Sequence, residues 1–94
     1  MELEFEAPLW RHRGDAGWYF VTLPPDLADD VRERSAPGGF GSVRVTATVG
    51  AVTWQTSLFP HTDSGSYVLP VKQQVRRANG VDDGDAVRVR LALG

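Results

Sequence analysis

His61 lies two residues before Asp63 and close to three serines, Ser57, Ser64 and Ser66, so a hydroxyl nucleophile, an imidazole base and an orienting carboxylate are all at hand. A relay of that kind needs separate contacts of about 2.6 to 3.2 Å, which a run of neighbouring residues seldom makes. No nucleophile-elbow pattern surrounds these serines, so His61 and Asp63 read as exposed loop residues forming a local turn. His12 and His61 are the two histidines of the chain, and two imidazoles without a third placed ligand do not define a metal site. The chain has no cysteine, which removes disulfides, thiolate zinc sites, iron–sulfur ligation and cysteine nucleophiles. No catalytic residue, metal or cofactor is assigned.

Asp82, Asp83 and Asp85 crowd three carboxylates around Gly84. Paired acids raise a pKa only in a restricted site, which a glycine-containing surface turn rarely provides, and the spacing of an EF-hand loop is missing. Asp82 and Asp83 therefore read as turn-forming side chains, and Asp85 as a partner for backbone amides or an arginine. The basic group Lys72, Arg76, Arg77, Arg88 and Arg90 is the strongest electrostatic candidate. Lys72 and Arg76 stand one helical turn apart and can present adjacent donors to a phosphate or carboxylate, although nearby acids compete for them. Arg44, between Val43 and Val45, is first an outward strand residue and second a ligand contact. Trp54 is expected to point inward with Val52. Trp18 and Tyr19 must face opposite sides of their strand, and whichever is exposed marks a pocket or interface. Candidate binding residues are thus Lys72, Arg76, Arg44, Tyr67 and His61, and convergence of Arg76, Tyr67 and His61 in a cleft would make them a site.

These side chains need a scaffold, and 94 residues suffice for a single domain, residues 1–94, with one core. Leu3, Phe5, Ala7 and Leu9 alternate with three glutamates over residues 2–10 until Pro8 interrupts, which predicts a strand with an edge or bulge. Residues 18–23 form a second strand that pairs with the first as a hairpin. Pro24 and Pro25 end it, and Asp26 can cap a short helix with Leu27 and Val31 on one face. Pro37, Gly38, Gly39 and Gly41 make a flexible connection, since the lysine of a phosphate-binding loop is absent. Two alternating strands meet at a Gly50-Ala51 turn. Residues 60–64 are a polar loop, and Tyr67 to Leu69 form a short strand. Pro70 starts a helix with Val71, Val75 and Ala78 along one stripe, and Gly80 stops it. Val87, Val89, Leu91 and Leu93 alternate along a last strand. Six strands, two short helical segments and no regular βαβ repeat predict a mainly β fold, a small closed or partly open split barrel.

The net charge of −2 argues against unspecific attraction to a phosphate backbone. No segment reaches the roughly 20 apolar residues needed to span a bilayer, and the N-terminus lacks a basic start with an apolar run, so a cytoplasmic location is expected without a membrane partner.

Trp18 with Leu23-Pro24, the strand from Val52 to Pro60, Gly65, Leu69-Pro70-Val71, Val75-Arg76, Gly80 and Gly84-Asp85 together resemble an uncharacterised family of small bacterial and archaeal domains. That family of unknown function occurs alone or ahead of domains of the YdeI/OmpD-associated, bacteriocin-protection type. The resemblance spans nearly the whole chain and implies a small split β-barrel, loosely grouped with double-split barrels, and no assigned mechanism. The expected function is a non-enzymatic binding or interaction module for a protein or a small anionic ligand, with homodimerisation open to its strand edges. The alternatives are a nucleic-acid-binding barrel with a basic face, and an enzyme on a small anionic metabolite using Arg76 and His61.

Overall fold

Alternating charged and apolar residues form β1 (Glu2–Pro8), whose Leu3 and Phe5 are buried while Glu2, Glu4 and Glu6 face water. The computed structural model describes residues 1–14, 17–34 and 41–93; Pro37, Gly38 and Gly39, read above as a connection, lie outside them. Pro8 is the last residue of β1 in register with the C-terminal strand. The fully buried Leu9 follows, and the chain continues as β2 (Trp10–Arg11), paired with β3 (Tyr19–Thr22). The single strand expected over residues 2–10 is therefore two strands in different ladders. Proline cannot donate to a ladder, so the strand leaves one partner at Pro8 and takes another beyond Leu9.

The remaining strands are β4 (Val43–Val49), β5 (Val52–His61), β6 (Ser66–Pro70) and β7 (Ala86–Ala92). Among the described residues there are seven strands in the order β1-β7-β4-β5-β6-β3-β2, not six, and every neighbouring pair is antiparallel. The two ends of that order, β1 and β2, are consecutive in the chain. The sheet thereby curls into a nearly closed, partly open barrel with an unsealed seam.

Prolines account for two departures from the expected boundaries. Pro60 and His61 extend β5, opposite Tyr67 and Ser66, instead of opening a loop. The ladder with β4 has already ended at Val43 and Leu58, so Pro60 has no bond on that side to remove. Pro70, expected in a first helical turn, is the last residue of β6, opposite Phe20. The helix α2 (Gln73–Asn79) begins later, with Lys72 in extended conformation at its N-cap. At its other end Gly80 adopts φ +62°, and the amides of Gly80 and Val81 donate to the carbonyls of Arg77 and Arg76, the paired bonds of a Schellman stop. The helix α1 (Pro25–Arg34) opens with a proline whose fixed φ suits that position, and buries Ala28 and Val31 against the barrel.

The acidic turn braces the corner beside the seam. Asp85 Oδ2 accepts the Asp82 amide at 2.8 Å, Asp82 Oδ1 the Asp83 amide at 2.8 Å, and Asp83 Oδ1 the Arg11 amide at 3.1 Å. Leu9 donates its amide to the Asp85 carbonyl at 2.8 Å and accepts the Gly84 amide at 2.7 Å. These three carboxylates bind main chain, as their turn-forming reading requires. Ser66, the buried polar residue, donates its hydroxyl to the Leu23 carbonyl at 2.9 Å, so its burial leaves no donor unmade.

Two contacts outside the core are testable. Gly50 has φ +59°, and a Cβ there would lie 2.1 Å from Asn79 Oδ1. Asn79 Nδ2 donates to the carbonyls of Val49 at 3.2 Å and Val75 at 2.9 Å, fastening the β4–β5 hairpin to α2. Gly50→Ala is expected to cost about 2 to 3 kcal/mol, from left-handed strain and displaced hydrogen bonds together. With Asn79→Ala already in place, only the strain of about 1 to 2 kcal/mol should remain. Urea denaturation of the four proteins measures the difference, and equal costs in both backgrounds would refute the contact. On the outer face, Glu4 lies between Arg88 and Arg90 of β7, hydrogen-bonded to Arg88 and reaching Arg90 Nε at 3.4 Å. The Arg88 hydrogen bond, then its charge, then Arg90 hold the Glu4 carboxyl below the ordinary glutamate range. A depressed folded value means that this contribution is present above the unfolded value and lost as pH falls through the folded one. Carbon-detected NMR titration should show the Glu4 midpoint rising toward the ordinary value in Arg88→Gln, and an unchanged midpoint would exclude the pairing.

Candidate functional site

In β3 both faces are apolar: Val21 is fully buried, while Trp18, just before the strand, is 52% exposed. Gly17, at φ +92°, provides the turn that a side-chain-bearing residue resists, and the His12 amide donating to the Trp18 carbonyl at 2.9 Å fixes the hairpin. Register then decides which side chains meet. Trp10 faces Phe20, Phe20 faces Pro70, and Phe59 faces Val68, so that with the period of two His12, Trp18 and His61 join the same outer face.

The result is a groove of about 440 Å³ lined by Trp10, His12, Trp18, Phe20, Phe59, His61, Val68 and Pro70. Trp18 and Phe20 lie nearly parallel, 11° apart with centroids at 6.0 Å, and Trp10 tilts over Phe20 at 5.1 Å. His12 meets Phe20 edge-on at 6.3 Å, and His61 sits 5.6 Å from Trp10. The Trp10 indole N–H donates to Thr22 Oγ1 at 2.9 Å, which locks the ring. Phe59 is 45% exposed, so the layer ends in open apolar surface.

Trp18 and Pro70 also belong to a second pocket, of about 390 Å³, whose other walls include Tyr19, Trp54, Gln55, Thr56, Lys72 and Gln73. Tyr19 faces away from the groove, as strand alternation demands, and the Arg76 guanidinium lies 3.8 Å from its ring centroid. Among the described residues the buried Arg76 Nη1 has no hydrogen-bond partner.

Of the residues singled out in the sequence, His61 and Pro70 line the groove, Trp18 and Pro70 join it to the pocket, and Lys72 sits on the pocket rim. Tyr67 is buried on the inner face under the Arg32 guanidinium, 5.5 Å from its ring centroid. Arg44 is exposed on β4 and reaches Ser57 Oγ at 3.5 Å. Arg76 stacks on Tyr19, Tyr67 under Arg32, and His61 against Trp10, so these three have separate neighbours and do not converge. Trp54 points inward with Val52, as alternation predicts, packing against the core opposite Ala47, and the part of it that stays accessible lines the pocket.

His61 Nδ1 lies 2.9 Å from Ser64 Oγ, which in turn accepts the Ser66 amide at 3.3 Å; the pair closes the turn between β5 and β6. Among the described residues no three His, Cys, Asp or Glu side chains are grouped to hold a metal ion, and no helix is long and apolar enough to cross a membrane. Trp10, His12, Phe20 and Phe59 are the groove residues that sequence reasoning did not assign to a binding site, His12 having been weighed only as a metal ligand. Their signal is the spacing Trp10-Xaa-His12 and Trp18-Xaa-Phe20, which places rings on one strand face while Val21 and Leu23 occupy the other.

No curated protein matches the chain. Residues 5–91 match the family described as Domain of unknown function (DUF1905), a span that holds β2 to β6 and both helices whole and most of β1 and β7, and the seam, groove and pocket lie within it. The chain belongs to this family of split barrels.

Proposed function

We propose that the chain is a one-domain, non-enzymatic binding module whose site is the aromatic groove, and that its occupant is a small, flat, largely apolar molecule. The observation that carries this reading is the exposure of Trp18 and Phe59 in one groove lined mainly by aromatic rings. Parallel rings offer stacking surface to a planar ligand, and among the described residues no Lys, Arg, Asp or Glu lines the groove to solvate a charged one. Its volume falls in the range of about 300 to 1,000 Å³ typical of small-molecule sites. A stable interface between copies needs about 20 to 30 residues a side, and eight line the groove. The nucleic-acid alternative lacks a continuous positive face: Arg88 and Arg90 bind Glu4 on β1, Arg44 stands on β4, and Arg76 is folded over Tyr19.

Indole is a suitable probe. Titrated into the nitrogen-15-labelled chain, it should shift the amide signals of His12, Phe20 and His61, and leave those of β1 and β7 in place. Trp18→Ser and Phe59→Ser should each weaken binding by about tenfold, the effect of losing most of a buried aromatic contact. Both positions are exposed, so circular dichroism should show an intact fold. Shifts scattered over the barrel would refute the site. So would a dimer in sedimentation equilibrium that Trp18→Ser converts to monomer, because the face would then be a contact between copies.

A further inference from the structure

The pocket beside the groove arises from the way β5 is shared. Its last residues, Phe59 to His61, pair with β6, whereas over residues 52–58 it pairs only with β4. Continuing the ladder would bring Thr56 opposite Val71 and Gln55 opposite Lys72. Instead the chain turns away at Pro70 into the N-cap of α2, and a split opens between these segments. One side of β5 thus meets the split without a strand partner.

We propose that this split is a binding site for a sugar ring of the pyranose class, with a carboxylated sugar preferred. Trp54, Trp18 and Tyr19 provide aromatic faces for the apolar C–H face of a sugar. Gln55, Gln73 and Thr56 provide donors and acceptors together, which a ring of hydroxyl groups requires and a purely apolar ligand cannot use. Among the described residues, hydrogen bonds are made by neither these three side chains nor that of Lys72, so their capacity is unspent. Among the described residues Lys72 is the single ionised side chain on the wall, and no carboxylate lines it. Its positive charge favours an anionic sugar over a cationic ligand. The site is independent of the groove reading, with which it shares Trp18 and Pro70 only.

Glucose and glucuronate, added separately to the nitrogen-15-labelled chain, test it. Both should shift the Trp54 indole N–H and the amides of Gln55, Val71 and Gln73, with glucuronate half-saturating at about a threefold lower concentration, as one exposed ion pair allows. Lys72→Ala should abolish that preference, so that the two sugars half-saturate at the same concentration, and Gln55→Ala should weaken both sugars. Lys72 and Gln55 are exposed, so neither substitution endangers the fold. Failure of both sugars to move the Trp54 indole, or shifts confined to His12 and His61, would overturn the proposal. Indole binding in the groove would survive either result.

Discussion

Leu9 is the hinge on which the barrel depends. It is fully buried, directly follows the proline that ends one ladder, and precedes the tryptophan that starts another. Its amide and carbonyl are both spent on the acidic turn, to Asp85 and from Gly84. One residue therefore anchors a corner of the sheet, a side chain in the core and the turn feeding β7. A barrel closed in this way needs no long ladder between β1 and β2, because covalent continuity holds the two edges together. The cost is an open seam, and the three aspartates stabilise it by hydrogen-bonding amides that the turn would otherwise leave unpaired.

Redirecting the chain at Leu9 also creates the groove. Beyond the corner, Trp10 and His12 lie over β3, whose outer residues Trp18 and Phe20 are aromatic as well. On β1 and β7, by contrast, the outer face carries Glu4, Arg88 and Arg90. One part of the barrel thus has a charged exterior and the other an aromatic one. The inner faces are alike, with Leu3, Phe5, Val87 and Val89 on one side and Val21, Leu58 and Leu69 on the other. Core packing explains the inner residues and leaves the outer aromatic layer without a stability requirement at Trp18 and Phe59, which remain largely in water.

Sequence periodicity disclosed most of the scaffold because it is local. Alternation identified the β4–β5 hairpin and the last strand, and glycine chemistry located the Gly50 and Gly80 turns. The hairpin expected between residues 2–10 and 18–23 exists only as the short β2–β3 ladder, because β1 pairs with β7. The acids of residues 82–85 were legible as turn formers for the same reason: their partners lie a few residues away, apart from the Arg11 amide. The prolines misled, since whether Pro60 or Pro70 interrupts a ladder depends on where the neighbouring strand ends, which no local pattern records. The binding face was less accessible still. Trp10, Phe20, Phe59 and Pro70 come from four strands, and only the register between them puts the four side chains on one surface. His61 was selected for its imidazole, yet its position follows from the unexpected length of β5.

Arg76 shows how an attractive charge can serve geometry. Its spacing from Lys72 suggested two adjacent donors for an anion, but its guanidinium sits over the Tyr19 ring and has no carboxylate partner among the described residues. A buried donor without an acceptor costs about 1 to 3 kcal/mol, while a partly desolvated cation–π contact returns about 1 to 2 kcal/mol. The two terms nearly cancel, so the arrangement adds little to stability. It does fix the Tyr19 ring from behind, just where β3 borders the split between β5 and α2. Tyr19 is opposite Arg11 in the short β2–β3 ladder and among the described residues donates no side-chain hydrogen bond, so stacking is what restrains its ring. The helix after Pro70 thereby controls one wall of the pocket through Arg76 and another through Lys72 and Gln73, while Val75 roots it in the core.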